Sequence, residues 1–112
     1  MIGKLSEIEE NAVKEFNQKL RSFAGDNIKQ ILLFGSKARG DFHKESDIDL
    51  FVLASEVDPL LRKQAARNVT EVLLKYGVLI SPKLIPEINY SNQKRLQTAF
   101  IRNIEKDGLN ID

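Results

Sequence analysis

The feature that most constrains this chain is the run Ile31-Leu32-Leu33-Phe34, apolar at every position and broken directly by Gly35. A strand with one wet face alternates apolar and polar residues. An unbroken apolar run therefore suggests a strand buried on both faces. Ile28 to Phe34 is accordingly predicted as an interior strand.

The flanking sequence supplies helices to cover it. Ser6 and Glu9 form a capping box, and Ile8, Val13, Phe16, Leu20 and Phe23 recur behind it at helical spacing. Gly25 ends that helix, and Asp26-Asn27 reads as a turn. Residues 35 to 46 are polar, with Gly35 and Gly40 as breakers, and are predicted as a connection containing about one helical turn. Asp47 to Ala54 is a second strand. Asp58 and Pro59 open a second long helix with the stripe Leu61, Ala65, Val69, Val72, Leu73 and Tyr76, ended by Gly77. Val78 to Ile85 is a third strand. Pro82 cannot donate a ladder hydrogen bond, so this strand is expected at an edge or at a bulge. Ser91 or Asn92 is expected to cap a last helix carrying Leu96, Phe100 and Ile104, closed by Gly108. The fold class is α+β with α/β-like order, α-β-turn-β-α-β-α. It implies a small mixed sheet with strands in sequence order, helices packed on one side, and a single domain over residues 1–112.

Composition narrows the chemistry. The chain has no cysteine, which excludes disulfides and thiolate metal sites. Its single histidine, His43, does not make a histidine-based zinc site. A metal would be held by oxygen, which suits Mg²⁺ or Mn²⁺. A net charge of +1 gives no sign of general nucleic-acid binding. No apolar run approaches the roughly 20 residues of a membrane span. The start, MIGKLSEIEEN, is too acidic and broken for a secretory signal, so a cytoplasmic protein is expected.

The candidate site lies at Phe34-Gly35-Ser36-Lys37-Ala38-Arg39-Gly40 and Ser46-Asp47-Ile48-Asp49-Leu50. Asp47 and Asp49 are two apart on a strand, so both carboxylates leave one face. Ionised, they repel each other, and a divalent cation between them removes that repulsion. Gly35 lets backbone N–H groups approach an anion, and the Ser36 hydroxyl adds a phosphate contact. Lys37 and Arg39 add positive charge beside this cradle. Each part alone is commonplace. Glycine-serine after a strand is usually a turn, Asp-x-Asp is a frequent surface pattern, and Lys37, Arg39 and Lys44 could be a solvated face. The combination is more specific: if the first two strands are antiparallel neighbours, a phosphate cradle faces a carboxylate pair at one sheet edge.

These residues resemble the DNA polymerase β-like nucleotidyltransferases, and among them the minimal nucleotidyltransferases. The hallmark is glycine-serine, a spacer, then Asp-x-Asp between hydrophobic residues. Here it reads GSKARGDFHKESDID, with ten residues, 37 to 46, between Ser36 and Asp47. The resemblance implies a nucleoside triphosphate, ATP being the expected donor, two Mg²⁺ ions, and transfer of a nucleoside monophosphate to an acceptor hydroxyl. It assigns Asp47 and Asp49 as catalytic metal ligands and Gly35, Ser36, Lys37 and Arg39 as phosphate-binding residues. It further implies an all-helical HEPN partner, as for antitoxins that adenylylate that partner, and leaves a homo-oligomer open. One departure stands out. The family places a third carboxylate on the next core strand, where this chain has Ser81. Glu87 beyond the strand and Glu71 on the preceding helix are the candidate substitutes. The rival expectation is a catalytically degenerate nucleotide-binding module that acts by binding a HEPN-type partner.

Overall fold

The computed structural model describes residues 5–35, 38 and 47–111. Five longer elements follow the predicted order: α1 (Glu7–Ala24), β1 (Ile28–Phe34), β2 (Ile48–Ala54), α2 (Pro59–Tyr76) and β3 (Ile80–Pro86). Two short helices, α3 (Glu87–Leu96) and α4 (Ala99–Asp107), and a two-residue strand, β4 (Leu109–Asn110), complete the fold.

The caps form as the sequence predicts. Glu9 N–H donates to Ser6 Oγ at 3.2 Å, and Ser6 N–H donates to Glu9 Oε1 at 2.9 Å. Leu61 N–H donates to Asp58 Oδ1 at 2.8 Å, and Gly77 closes α2 in the left-handed region at φ 68°. On α1 the buried positions are Ala12, Val13, Phe16, Asn17 and Leu20, while Ile8 and Phe23, in the end turns, are largely exposed. On α2, Asn68 is buried, whereas Leu73, expected inside, is exposed.

The sheet has the order β3-β2-β1-β4. β1 and β2 are antiparallel, with Phe34 opposite Asp49, and β2 and β3 are parallel, with Asp49 abreast of Ser81. The expected sequential order of three strands therefore holds, with a fourth strand added beside β1. β3 is an edge strand, as Pro82 demanded. Ile48 N–H donates to Leu79 O at 3.0 Å, which turns the odd-numbered residues of β3 toward β2 and the even-numbered ones outward. The missing Pro82 N–H thus falls on the open side, where it costs no ladder bond.

The two sheet faces are covered differently. Ile31, Leu33, Ile48, Leu50, Val52 and Ala54 join Phe16, Leu20, Leu61, Ala65 and Val72 in one core beneath α1 and α2. The alternate residues point the other way, and Phe51 among them is fully buried. Its ring lies 5.6 Å from Tyr90 of α3 and 6.1 Å from Phe100 of α4, and Phe100 meets Phe34 edge-on at 5.8 Å. The expectation of helices on one side alone is corrected here: the two long helices share one face, and the two short ones shield part of the other. The cause is the apolar residues Leu32, Phe34 and Phe51 on that second face, which need cover.

The last helix also differs from expectation. It starts at Glu87, directly after Pro86, with Ser91 and Asn92 inside it. It breaks at Gln97, a non-glycine residue at φ 51°, and Thr98 caps a new helix by accepting from Ile101 N–H at 3.3 Å. Leu96 is consequently exposed, while Ile101 and Ile104 are buried. No helix among the described residues is long and apolar enough to cross a membrane.

Candidate active site

The site is set by the register of two ladders. β1 ends at Phe34, and the chain turns at Gly35 with φ 76°. Pairing of Phe34 with Asp49 brings that turn against the Asp49 side chain. A Cβ built on Gly35 would collide with Asp49 Oδ2 and lie 3.3 Å from its Cγ. Only glycine satisfies both the positive φ and this approach. Gly35 O accepts from Ala38 N–H at 3.2 Å. Ser36, Lys37 and Arg39 lie outside the described residues, as do Gly40, His43, Lys44 and Ser46.

Asp47 immediately precedes β2 and is exposed; Asp49 is partly buried within it. Strand alternation puts Asp49 on the face opposite α1 and α2, together with Phe34 and Ser81. Across one row of the sheet, the order is thus Phe34 with Gly35 just beyond it, Asp49, then Ser81. Parallel pairing sets Ser81, the residue that the resemblance places at the third-acid position, directly abreast of Asp49.

Neither substitute acid reaches this row. Glu87 lies six residues beyond Ser81 along an extended strand, on the order of 20 Å away at the usual rise. There it accepts from Ser55 Oγ at 3.0 Å. Glu71 is on α2, on the helical side of the sheet, and pairs with Lys19 Nζ at 2.8 Å.

Lys19, Glu71, Glu15 and Lys75 form a charge chain joining α1 to α2, extended by Tyr76 Oη donating to Glu15 at 3.0 Å. The hydrogen bonds from Lys75 and Tyr76 hold the Glu15 carboxyl below its ordinary range. Contact with Glu71 raises Lys19, and contact with Glu15 raises Lys75. A concavity of about 590 Å³ lies over this network. It is far from the carboxylate pair and is read as the seam between two helices. A groove of about 530 Å³ has a different position: it runs between α2 and β3 and reaches Asp47 and Ser81. Sequence patterning gave no sign of it, although Ala65-Ala66 on α2, small residues beside an edge strand, was the available signal.

The donor set suits a hard cation. Asp47, exposed just before β2, and Asp49, partly buried within it, are two residues apart and both offer oxygen ligands, and the described residues contain no cluster of three or more acidic, histidine or cysteine groups able to hold a metal. Mg²⁺ typically takes one or two carboxylates and completes its shell with water and phosphate oxygens, so Asp47 and Asp49 fit that pattern.

An antiparallel pair extended by a parallel strand, with a glycine turn pressed on the Asp49 carboxylate of the middle strand, is the arrangement of a nucleotidyltransferase. Comparison with known proteins agrees. Residues 13–109 match the family described as the nucleotidyltransferase domain, and the chain belongs to that family. It is 34% identical over 100 residues to MJ0141 of Methanocaldococcus jannaschii, named provisionally as a protein adenylyltransferase, covering 88% of this chain and 94% of that one. Its fold resembles a crystal structure of a toxin-antitoxin with AMP-PNP, with a TM-score of 0.57 at 21% identity over 92% of this chain and 72% of that one. It also resembles a complex of a tri-AMPylated Shewanella oneidensis HEPN toxin with its MNT antitoxin, with a TM-score of 0.51 at 17% identity over 90% of this chain and 71% of that one.

Proposed function

We propose that the chain transfers AMP from ATP, with Mg²⁺, to a hydroxyl on a small helical HEPN-type protein, and so acts as the antitoxin of such a pair. The observation that carries this reading is the close approach of Gly35 to the Asp49 carboxylate, which suits a phosphate-binding backbone beside a cation ligand. Asp47 and Asp49 would hold the cation; the backbone after Gly35, with Ser36, Lys37 and Arg39, would hold the triphosphate. A bound Mg²⁺ supplies charge neutralisation for the phosphates. The acceptor oxygen attacks the α-phosphorus, the bond from that phosphorus to its bridging oxygen breaks, pyrophosphate leaves with the electron pair, and the hydroxyl proton passes to water. The protein names and complexes among its relatives support AMP and a protein acceptor.

Labelled ATP, Mg²⁺ and the product of a neighbouring gene for a small helical protein should give covalent AMP on that protein. Asp49→Asn should abolish Mg²⁺-dependent ATP binding in calorimetry while circular dichroism stays unchanged. Retained affinity in that variant counts against the site.

A second reading is favoured by Ser81 and by the displacement of Glu71 and Glu87 from the site. On this reading, the chain binds nucleotide and neutralises its partner by contact alone. Stable complex formation with ATP bound and no AMP on the partner distinguishes it.

A further inference from the structure

The carboxylate row has two flanks. Gly35 stands on the β1 side of Asp49, and Ser81 stands on the β3 side. Phosphoryl-type displacement keeps the attacking and leaving oxygens roughly in line across phosphorus. With the triphosphate at Gly35, pyrophosphate departs on the β1 flank, so the acceptor oxygen must arrive on the β3 flank. That flank is open: among the described residues nothing pairs with β3 beyond β2. The groove beside it is walled by Ala65, Ala66 and Val69 of α2 and by Pro82 and Leu84 of β3. Asp47 lines the groove as well as belonging to the carboxylate pair, so the groove is continuous with the transfer site.

We propose that the open edge of β3 and its groove hold the acceptor as an extended peptide segment that presents its hydroxyl beside Ser81. This rests on the transferase reading above. Side chains of an extended segment alternate between faces. One set enters the groove against Ala65, Ala66 and Val69. The next set lies over the opposite face, where Ser81 and Asp49 are, and there a seryl, threonyl or tyrosyl oxygen meets the α-phosphorus. Its proton goes to water and pyrophosphate leaves, as in the balance given above. The backbone agrees with this placement. Even-numbered residues of β3 face outward, so the carbonyls of Ile80 and Pro82 can accept from the segment's N–H groups. Pro82 offers no donor in return, so the added ladder is one bond short and the product is released readily.

The test uses the ¹⁵N-labelled chain and a short acetylated peptide of alternating valine and alanine with one tyrosine. At millimolar peptide, amide shifts are expected at Ala65, Ala66, Val69, Ile80 and Leu84. Shifts confined to other surfaces, no shifts at all, or concentration-dependent shifts of the same amides without peptide, which mean that a second copy occupies the edge, each overturn the proposal. Ala66 is exposed, so Ala66→Phe fills the groove without entering the core. With peptide as acceptor and Mg²⁺-ATP as donor, it should raise KM for the peptide about tenfold or more and leave KM for ATP unchanged. An unchanged peptide KM in the folded variant overturns the proposal. A separate Mg²⁺-ATP titration reads the Gly35 and Asp49 amides: absence of shifts there is a failure of the transferase reading itself, whatever the peptide does.

Discussion

Gly35 is held to glycine twice over, by a positive φ and by the Asp49 carboxylate where a methyl group would stand. Gly35→Ala should cost about 1–2 kcal/mol from the backbone alone. It should also push Asp49 out of line, so the loss of ATP affinity should exceed what the drop in Tm accounts for; calorimetry beside thermal melting checks both. Ser81 gives the complementary prediction. It stands abreast of Asp49, and neither Glu71 nor Glu87 reaches it, so Ser81→Asp should raise transfer to the true partner more than it raises ATP affinity. The gain is bounded by the roughly hundred- to ten-thousand-fold that general-base help supplies. Glu87→Gln should leave transfer unchanged, because Glu87 is tied to Ser55 at the other end of β3; a robust activity lost in that variant would refute the assignment. Much of this was legible beforehand. The place of Asp49 on an interior strand was readable from the apolar residues around it, whereas the shared face expected for Asp47 rested on a strand that starts one residue later, at Ile48. Ser81 was placed only by the family resemblance, and its seat abreast of Asp49 comes from the parallel pairing of β2 and β3. What could not be read was whether Glu71 or Glu87 bends back, since that depends on Lys19 and Ser55, far away in sequence.

At the scale of elements, α1 and α2 are joined by apolar packing and by the chain Glu71–Lys19–Glu15–Lys75. Glu15 is lowered, so its contribution is present above the ordinary glutamate range and fades as pH falls through its folded value. Lys19 and Lys75 are raised, so theirs is present below the ordinary lysine range and fades as pH rises through their folded values. The network therefore stabilises between these limits, and salt should weaken it because Glu71 and Lys75 are exposed and Lys19 and Glu15 only partly covered. Glu15→Gln should lower Tm near neutral pH and at low salt, and the difference from wild type should shrink toward zero in acid and in high salt. The long helices were readable because capping boxes, proline at the first turn and glycine ends are local signals. The break at Gln97 was not, because a left-handed glutamine carries no glycine or proline mark, although Thr98 as a cap was visible in principle. β4 is two exposed residues long and has no pattern to detect; only its place beside Leu32 and Leu33 defines it.

For the molecule as a whole, Phe51 joins the sheet to the two short helices. It is fully buried between Tyr90 and Phe100, so Phe51→Ala should cost about 3–5 kcal/mol, measurable by urea unfolding. The unbroken apolar run of β1 already announced that both faces need cover, and a one-sided helix layer did not take that signal far enough. The sheet order has one more consequence. β4 occupies the outer side of β1 at Leu32 and Leu33, and Ile111 N–H donates to Ile31 O at 3.2 Å, so that margin is closed along these residues. A sheet open on two sides can add copies head to tail into a filament. Here, among the described residues, β4 takes over as that edge, and its two residues offer an incoming strand far fewer ladder bonds than the seven residues of β3. Sheet extension is therefore favoured at β3, where two copies could pair edge to edge about a two-fold axis.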